Sequence, residues 1–143
     1  MGYMTFVNLK VYRLAEELAD EIWNVVLTWN GFARNTVGMQ LVDAADSVGA
    51  NIAEGTGRRS FKENQRFVKI ARGSLNEVRH WLRRAFRRGL LKDEHVLKLR
   101  PLLAELAPTL NAYLRSIGPV SRASADGLES PATKDQGQRT KDQ

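Results

Sequence analysis

The sequence contains no cysteine, which excludes disulfides and thiolate-bound zinc and fits a reducing cytosol. Histidine is scarce too, with only His80 and His95. No window approaches the roughly 18 uninterrupted apolar residues that span a bilayer. Met1 to Thr5 lacks the charged-then-apolar layout of a secretion signal. The expectation is a cytoplasmic protein with no membrane segment. Acidic residues are outnumbered: 22 Lys and Arg stand against 16 Asp and Glu, a net charge of +6. A basic balance of this kind favours an acidic partner, of which nucleic acid is the commonest for a soluble domain. The plainer alternative is a solvated charged face. A chain of 143 residues fits one domain with one modest core.

The positive charge is concentrated. Between Arg58 and Arg88 there are eleven Arg and Lys but only Glu63 and Glu77, so this stretch carries +9 and the remainder of the chain is acidic. At about 100° per residue, Phe67, Ile70, Ala71, Ser74, Leu75, Val78, Trp81, Leu82, Ala85 and Phe86 fall on one half of a helix. Lys62, Arg66, Lys69, Arg72, Arg79, Arg83, Arg84 and Arg87 fall on the other. The pattern predicts one long helix with a buried face and a cationic stripe.

Before it, Val11, Leu14, Leu18, Ile22 and Val25 step by three and four from Leu9 to about Thr28, with Glu16, Glu17, Asp20 and Glu21 off that stripe. Trp23 lies off the core stripe, either covered by a neighbouring subunit or singly exposed. Residues 29–35 carry turn residues without a period and predict the first connection. A second helix is expected from about Val37 to Glu54, with Leu41, Ala45, Val48 and Ile52 inward. Its many small residues permit close helix approach. Gly55-Thr56-Gly57 ends it through glycine in the left-handed conformation. Ser60 and Glu63 form a capping-box signature that starts the long helix, which Gly89 closes. A fourth helix is expected with Asp93 as N-cap and a seam of Val96, Leu99, Leu103, Leu106, Leu110, Tyr113 and Ile117. Pro101 and Pro108 lie opposite the seam; either the helix bends there or it starts at Pro101. Residues 1–120 are therefore expected to form one all-α domain of four helices. Residues 121–143, polar and carrying a repeated Thr-Lys-Asp-Gln, are expected to be a disordered tail.

The runs Asn51-Ile52-Ala53-Glu54-Gly55, Gly57-Arg58, Ser60 and Ile70-Ala71-Arg72-Gly73-Ser74-Leu75-Asn76-Glu77 resemble the bacterial proteins encoded in intervening sequences of 23S rRNA genes. Leu9 to Leu18 is similar to that family's first helix, with Tyr12 where tryptophan is usual. The resemblance covers about residues 6 to 118 and implies an up-and-down four-helix bundle. It also implies a ring of five subunits, as in related bundles that serve reverse-transcriptase retroelements as nucleic-acid-binding accessory proteins. Val42-Asp43 stands where relatives often carry a basic pair, which argues against phosphate contact by the second helix.

The candidate nucleic-acid-binding residues are Arg58, Arg59, Lys62, Arg66, Lys69, Arg72, Arg79, Arg83, Arg84 and Arg87. Cations along one helix face neutralise successive phosphates and release condensed counterions. The ligand is RNA or DNA, and in a homo-oligomer every subunit repeats the contact. The alternative is a scaffold in which this stripe pairs with the acidic first helix of a neighbouring subunit or of a protein partner. Residues 55–60 form either a phosphate-binding loop or a C-cap followed by an N-cap. Glu77-Val78-Arg79-His80 matches half of a di-iron pattern, but it projects onto the cationic half and has no second copy. No catalytic constellation, metal cluster or cofactor motif is found, and the protein is expected not to be an enzyme. Asn51 and Glu54 are expected to cap the loop at Gly55 to Gly57, or to bond across a subunit boundary.

Overall fold

The computed structural model describes residues 6–119. Four long helices pack around one apolar cluster: α1 (Lys10–Leu27), α2 (Met39–Thr56), α3 (Phe61–Arg87) and α4 (Asp93–Ser116). They run as an up-and-down bundle joined by short connections. The expected tail lies outside the described residues.

Helix α1 buries Val11, Leu14, Ala15, Leu18, Ile22, Val25 and Val26, the stripe its spacing predicts with two small additions. Burying a side chain such as Leu18 or Ile22 stabilises by about 1.5–3 kcal/mol, and both are fully buried. The first connection is shorter than residues 29–35. Trp29 turns inward, and the Asn30 side chain accepts a hydrogen bond from the Ala33 amide at 3.0 Å. Asparagine is a strong N-cap, so helical structure restarts at once: a turn at Gly31–Ala33 and a π-helical turn at Arg34–Gly38 lead directly into α2. Gly38 is needed there, because a Cβ would lie 2.7 Å from Val26 Cγ1 and 3.3 Å from the Ala33 carbonyl oxygen.

The expected inner residues Leu41, Ala45, Val48 and Ile52 of α2 are all buried. Two glycines of α2 face neighbouring helices, and only the second is sterically required. A Cβ on Gly49 would lie 3.4 Å from the Tyr12 ring of α1, and one on Gly55 would meet Asn64 and Phe67 of α3. The role expected of the Gly55–Gly57 turn is therefore corrected: Gly57 has φ −86°, and neither glycine adopts a positive φ. Gly55 serves the close crossing of α2 and α3 instead.

Ser60 caps α3 by accepting from the Glu63 amide at 3.1 Å. At the other end Gly89, at φ 75°, permits a Schellman closure in which Leu90 N–H reaches the Ala85 carbonyl and Gly89 N–H the Phe86 carbonyl. The buried arc of α3 runs through Val68, Ala71, Ser74, Leu75, Val78, Leu82 and Ala85. Ile70 and Phe86, expected inside, are exposed. Ile70 falls beyond the edge of that arc, and Phe86 sits at the last turn.

Helix α4 starts at Asp93, with Lys92 rather than Asp93 as its N-cap. The Lys92 amide donates to Nδ1 of buried His95 at 3.1 Å, so that histidine closes the turn. The helix runs unbroken through Pro101 and Pro108, both on the exposed side, so the start at Pro101 does not hold. Leu99, Leu106, Leu110 and Ile117 are buried, with Val96, Leu103 and Tyr113 partly so. Gln65 Nε2 donates to the Ile117 carbonyl at 2.8 Å and ties α3 to the end of α4.

Candidate nucleic-acid interface

With its apolar arc held against α2 and α4, α3 turns its basic side to solvent. Lys62, Arg66, Lys69, Arg72, Arg79, Arg83 and Arg87 are exposed and Arg84 is partly so. Arg58 and Arg59 are exposed in the preceding turn. The expected residues thus lie along one face about 40 Å long at 1.5 Å per residue.

The face has two chemically different halves. In the first, Arg58 pairs with Glu54, Arg66 pairs with Glu63 at 3.3 Å, and Arg72 donates to Asn111 Oδ1 of α4 at 3.3 Å. The guanidinium carbons of Arg58 and Arg66 each lie 4.6 Å from the Phe67 ring centroid, a geometry with its own cation–π attraction. In the second half, none of the ion pairs among the described residues involves Arg79, Arg83, Arg84, Arg87 or Arg88. Lys62 and Lys69 are likewise without an ion pair to a described residue. Four arginines within nine residues, 79–87, thus have no anion within ion-pair distance among the described residues.

The loop at residues 55–60 is built as a cap. The amides of Gly57 and Arg58 donate to the carbonyls of Glu54 and Gly55, so they are not turned outward as a phosphate cradle. The expectation for Asn51 is also corrected. Its amide donates to the Ser47 carbonyl at 2.8 Å and to Ser47 Oγ at 3.0 Å, within α2 and away from that loop. Glu54 holds Arg58. Glu77 and His80 are exposed, and no described group of three or more His, Asp or Glu could hold a metal ion. No described helix is long and apolar enough to cross a membrane.

The surface formed by α1 and α2 carries acidic and apolar residues. Glu16, Glu17, Asp20, Asp43 and Asp46 are exposed. Although Asp46 is exposed as a whole, partial desolvation of its carboxyl, then Asp20 and Asp43, push it above its ordinary value. Glu21 is committed to Lys98 of α4 at 4.0 Å. Beside these acids, Trp23, Leu27, Met39 and Val42 line a groove of about 410 Å³. Trp23 is 54% exposed and Met39 63%. The periodicity of α1 placed Trp23 off the core, but nothing in the sequence joined it to Met39, because the lead-in to α2 reads as a loop.

A four-helix bundle with one cationic helix face is the class this geometry defines. Residues 7–112 match the family described as 23S rRNA-intervening sequence protein, and the chain belongs to that family. No curated protein matches the chain.

Proposed function

We infer that this protein is a non-enzymatic, homo-oligomeric bundle that binds RNA or DNA electrostatically through the outward face of α3. The observation that carries this reading is the run Arg79, Arg83, Arg84 and Arg87, which presents positive charge without an ion pair to any described residue. The family's description refers to 23S rRNA, which supports RNA as ligand. Assembly is supported by the groove at Trp23, Leu27 and Met39, three apolar residues that are each more than half exposed. A ring of five is the assembly the family resemblance implies, and it would repeat the cationic face around one particle.

The test is fluorescence anisotropy of labelled structured RNA and duplex DNA across a salt series. Binding through α3 gives a log–log plot whose slope falls by about 0.7–0.9 per phosphate contact. Absence of binding at low salt by the intact oligomer would remove this reading. It would favour the scaffold, in which exposed Glu16, Glu17 and Asp20 meet the α3 cations of the next copy.

A further inference from the structure

Where the last turn of α3 meets the lead-in to α2, the bundle has a cleft of about 860 Å³, within the size range of ligand sites. Its walls include Phe32, Asn35, Gln40, Trp81 and Arg88. Phe32 is 81% exposed, yet its backbone is held: Thr36 Oγ donates to the Phe32 carbonyl at 2.7 Å, inside the turn that Asn30 caps. Asn35 and Gln40 each bring an amide with donors and an acceptor, and neither side chain hydrogen-bonds a described residue. The indole Nε1 of Trp81 is buried with no hydrogen-bond partner. The wall at Arg34–Gly38 is a π-helical turn, a distortion that recurs at functional sites.

The cleft continues the unpaired half of the cationic face. Trp81, Arg84 and Arg88 stand at i, i+3 and i+7 and so form one row along α3. Arg83 and Arg87 form the next row outward. Trp81 and Arg88 of the first row line the cleft, so the cleft borders this cationic face.

We propose that this cleft takes one unpaired nucleobase of a strand bound along Arg83, Arg84 and Arg87. Phe32 supplies a stacking face, Asn35 and Gln40 meet the base edge, and Arg88 holds a flanking phosphate. The proposal rests on the nucleic-acid reading above and adds to it a preference for single-stranded over duplex ligand. A duplex base has its edge paired and both faces stacked, so it cannot enter. Every base has a π face, so the preference is for unpaired strand rather than for a sequence.

The full chain is titrated with a fluorescein-labelled unstructured RNA of about 20 nucleotides and with the same strand annealed to its complement. The single strand is expected to bind more tightly. Phe32→Ala is expected to weaken single-strand binding by about fivefold or more and to leave duplex binding unchanged. Gln40→Ala, also at an exposed position, acts in the same direction with a smaller effect. Circular dichroism confirms that both variants fold. Duplex binding as tight as single-strand binding overturns the proposal, and so do variants that bind the single strand like wild type or weaken both ligands alike. If wild type binds neither ligand, the phosphate reading falls and this proposal falls with it.

Discussion

Asn51 of α2 and Ser74 of α3 converge on one hydroxyl: the Asn51 amide donates to Ser47 Oγ at 3.0 Å, and Ser74 Oγ donates to the same oxygen at 2.9 Å. These residues belong to the two sequence blocks that carry the family resemblance. Gly55, at the end of the first block, lies against Asn64 and Phe67 of α3. The blocks therefore hold the α2–α3 crossing together, which explains polar residues that have no catalytic partners.

Ser47→Ala removes the shared oxygen and leaves the hydroxyl of Ser74, a residue only 9% exposed, without this partner. The expected cost is about 1–3 kcal/mol, read from urea unfolding, with nucleic-acid affinity unchanged once the protein is folded. A variant as stable as wild type would show that the bond does not hold the crossing.

Two glycines one helix apart should respond to alanine with opposite signs. Gly55→Ala places a methyl 3.1 Å from Phe67 Cβ and 3.2 Å from the Asn64 carbonyl oxygen, an overpacking that costs about 1–3 kcal/mol. Gly73 is exposed within α3, and a Cβ there meets nothing within 4 Å. Gly73→Ala should stabilise by about 0.5–1 kcal/mol through helix propensity and lower unfolded-state entropy. Paired thermal melts check both signs.

The fold was legible where one local rule decided the outcome. The Ser60–Glu63 cap, the Gly89 closure and the core stripes of α1 and α2 each depend on neighbours within a turn or two. Local rules misled where tertiary contact overrode them. Glycines at 55 and 57 suggest a left-handed cap, but the room needed by Phe67 explains Gly55. Turn residues at 29–35 concealed the Asn30 cap, and with it the placement of Phe32, Met39 and the two clefts they line. The cationic face was visible as a stripe but not as two halves. The spacings Glu54 to Arg58 and Glu63 to Arg66 are those of helical ion pairs, and they were the signal that its first half is partly neutralised by its own chain.

Asp46 makes stability depend on pH. Its carboxyl is raised above 3.8 by burial and then by Asp20 and Asp43, so ionisation is harder in the folded state than in the unfolded one. Below 3.8 the group is protonated in both states and contributes no penalty. As pH rises through 3.8 and then through the raised value, the penalty grows to its full size and persists at neutral pH. Asp46→Asn should therefore raise the melting temperature at neutral pH, with the gain fading as pH falls through that window. An unchanged or lower melting temperature at neutral pH would contradict this.

Trp23→Glu combined with Met39→Glu places two charges in the α1–α2 groove. Both residues are more than half exposed, so the fold should survive, with surface substitutions costing within about 0.5 kcal/mol each. Light scattering is expected to show a smaller particle than wild type. An unchanged mass would place the subunit contact elsewhere.

The second half of α3 is proposed to bind phosphate through Arg79, Arg83 and Arg87. The most direct measurement compares two full-length variants against labelled RNA at low salt: Arg79→Glu/Arg83→Glu/Arg87→Glu and Arg58→Glu/Arg66→Glu/Arg72→Glu, with mass and helicity determined on the same samples. The first variant is expected to stay folded and oligomeric and to lose binding, while the second retains more of it, because its arginines already hold Glu54, Glu63 and Asn111. A folded first variant that binds as wild type would show that phosphate is held elsewhere. A first variant that falls apart into monomers would assign those arginines to subunit contacts instead.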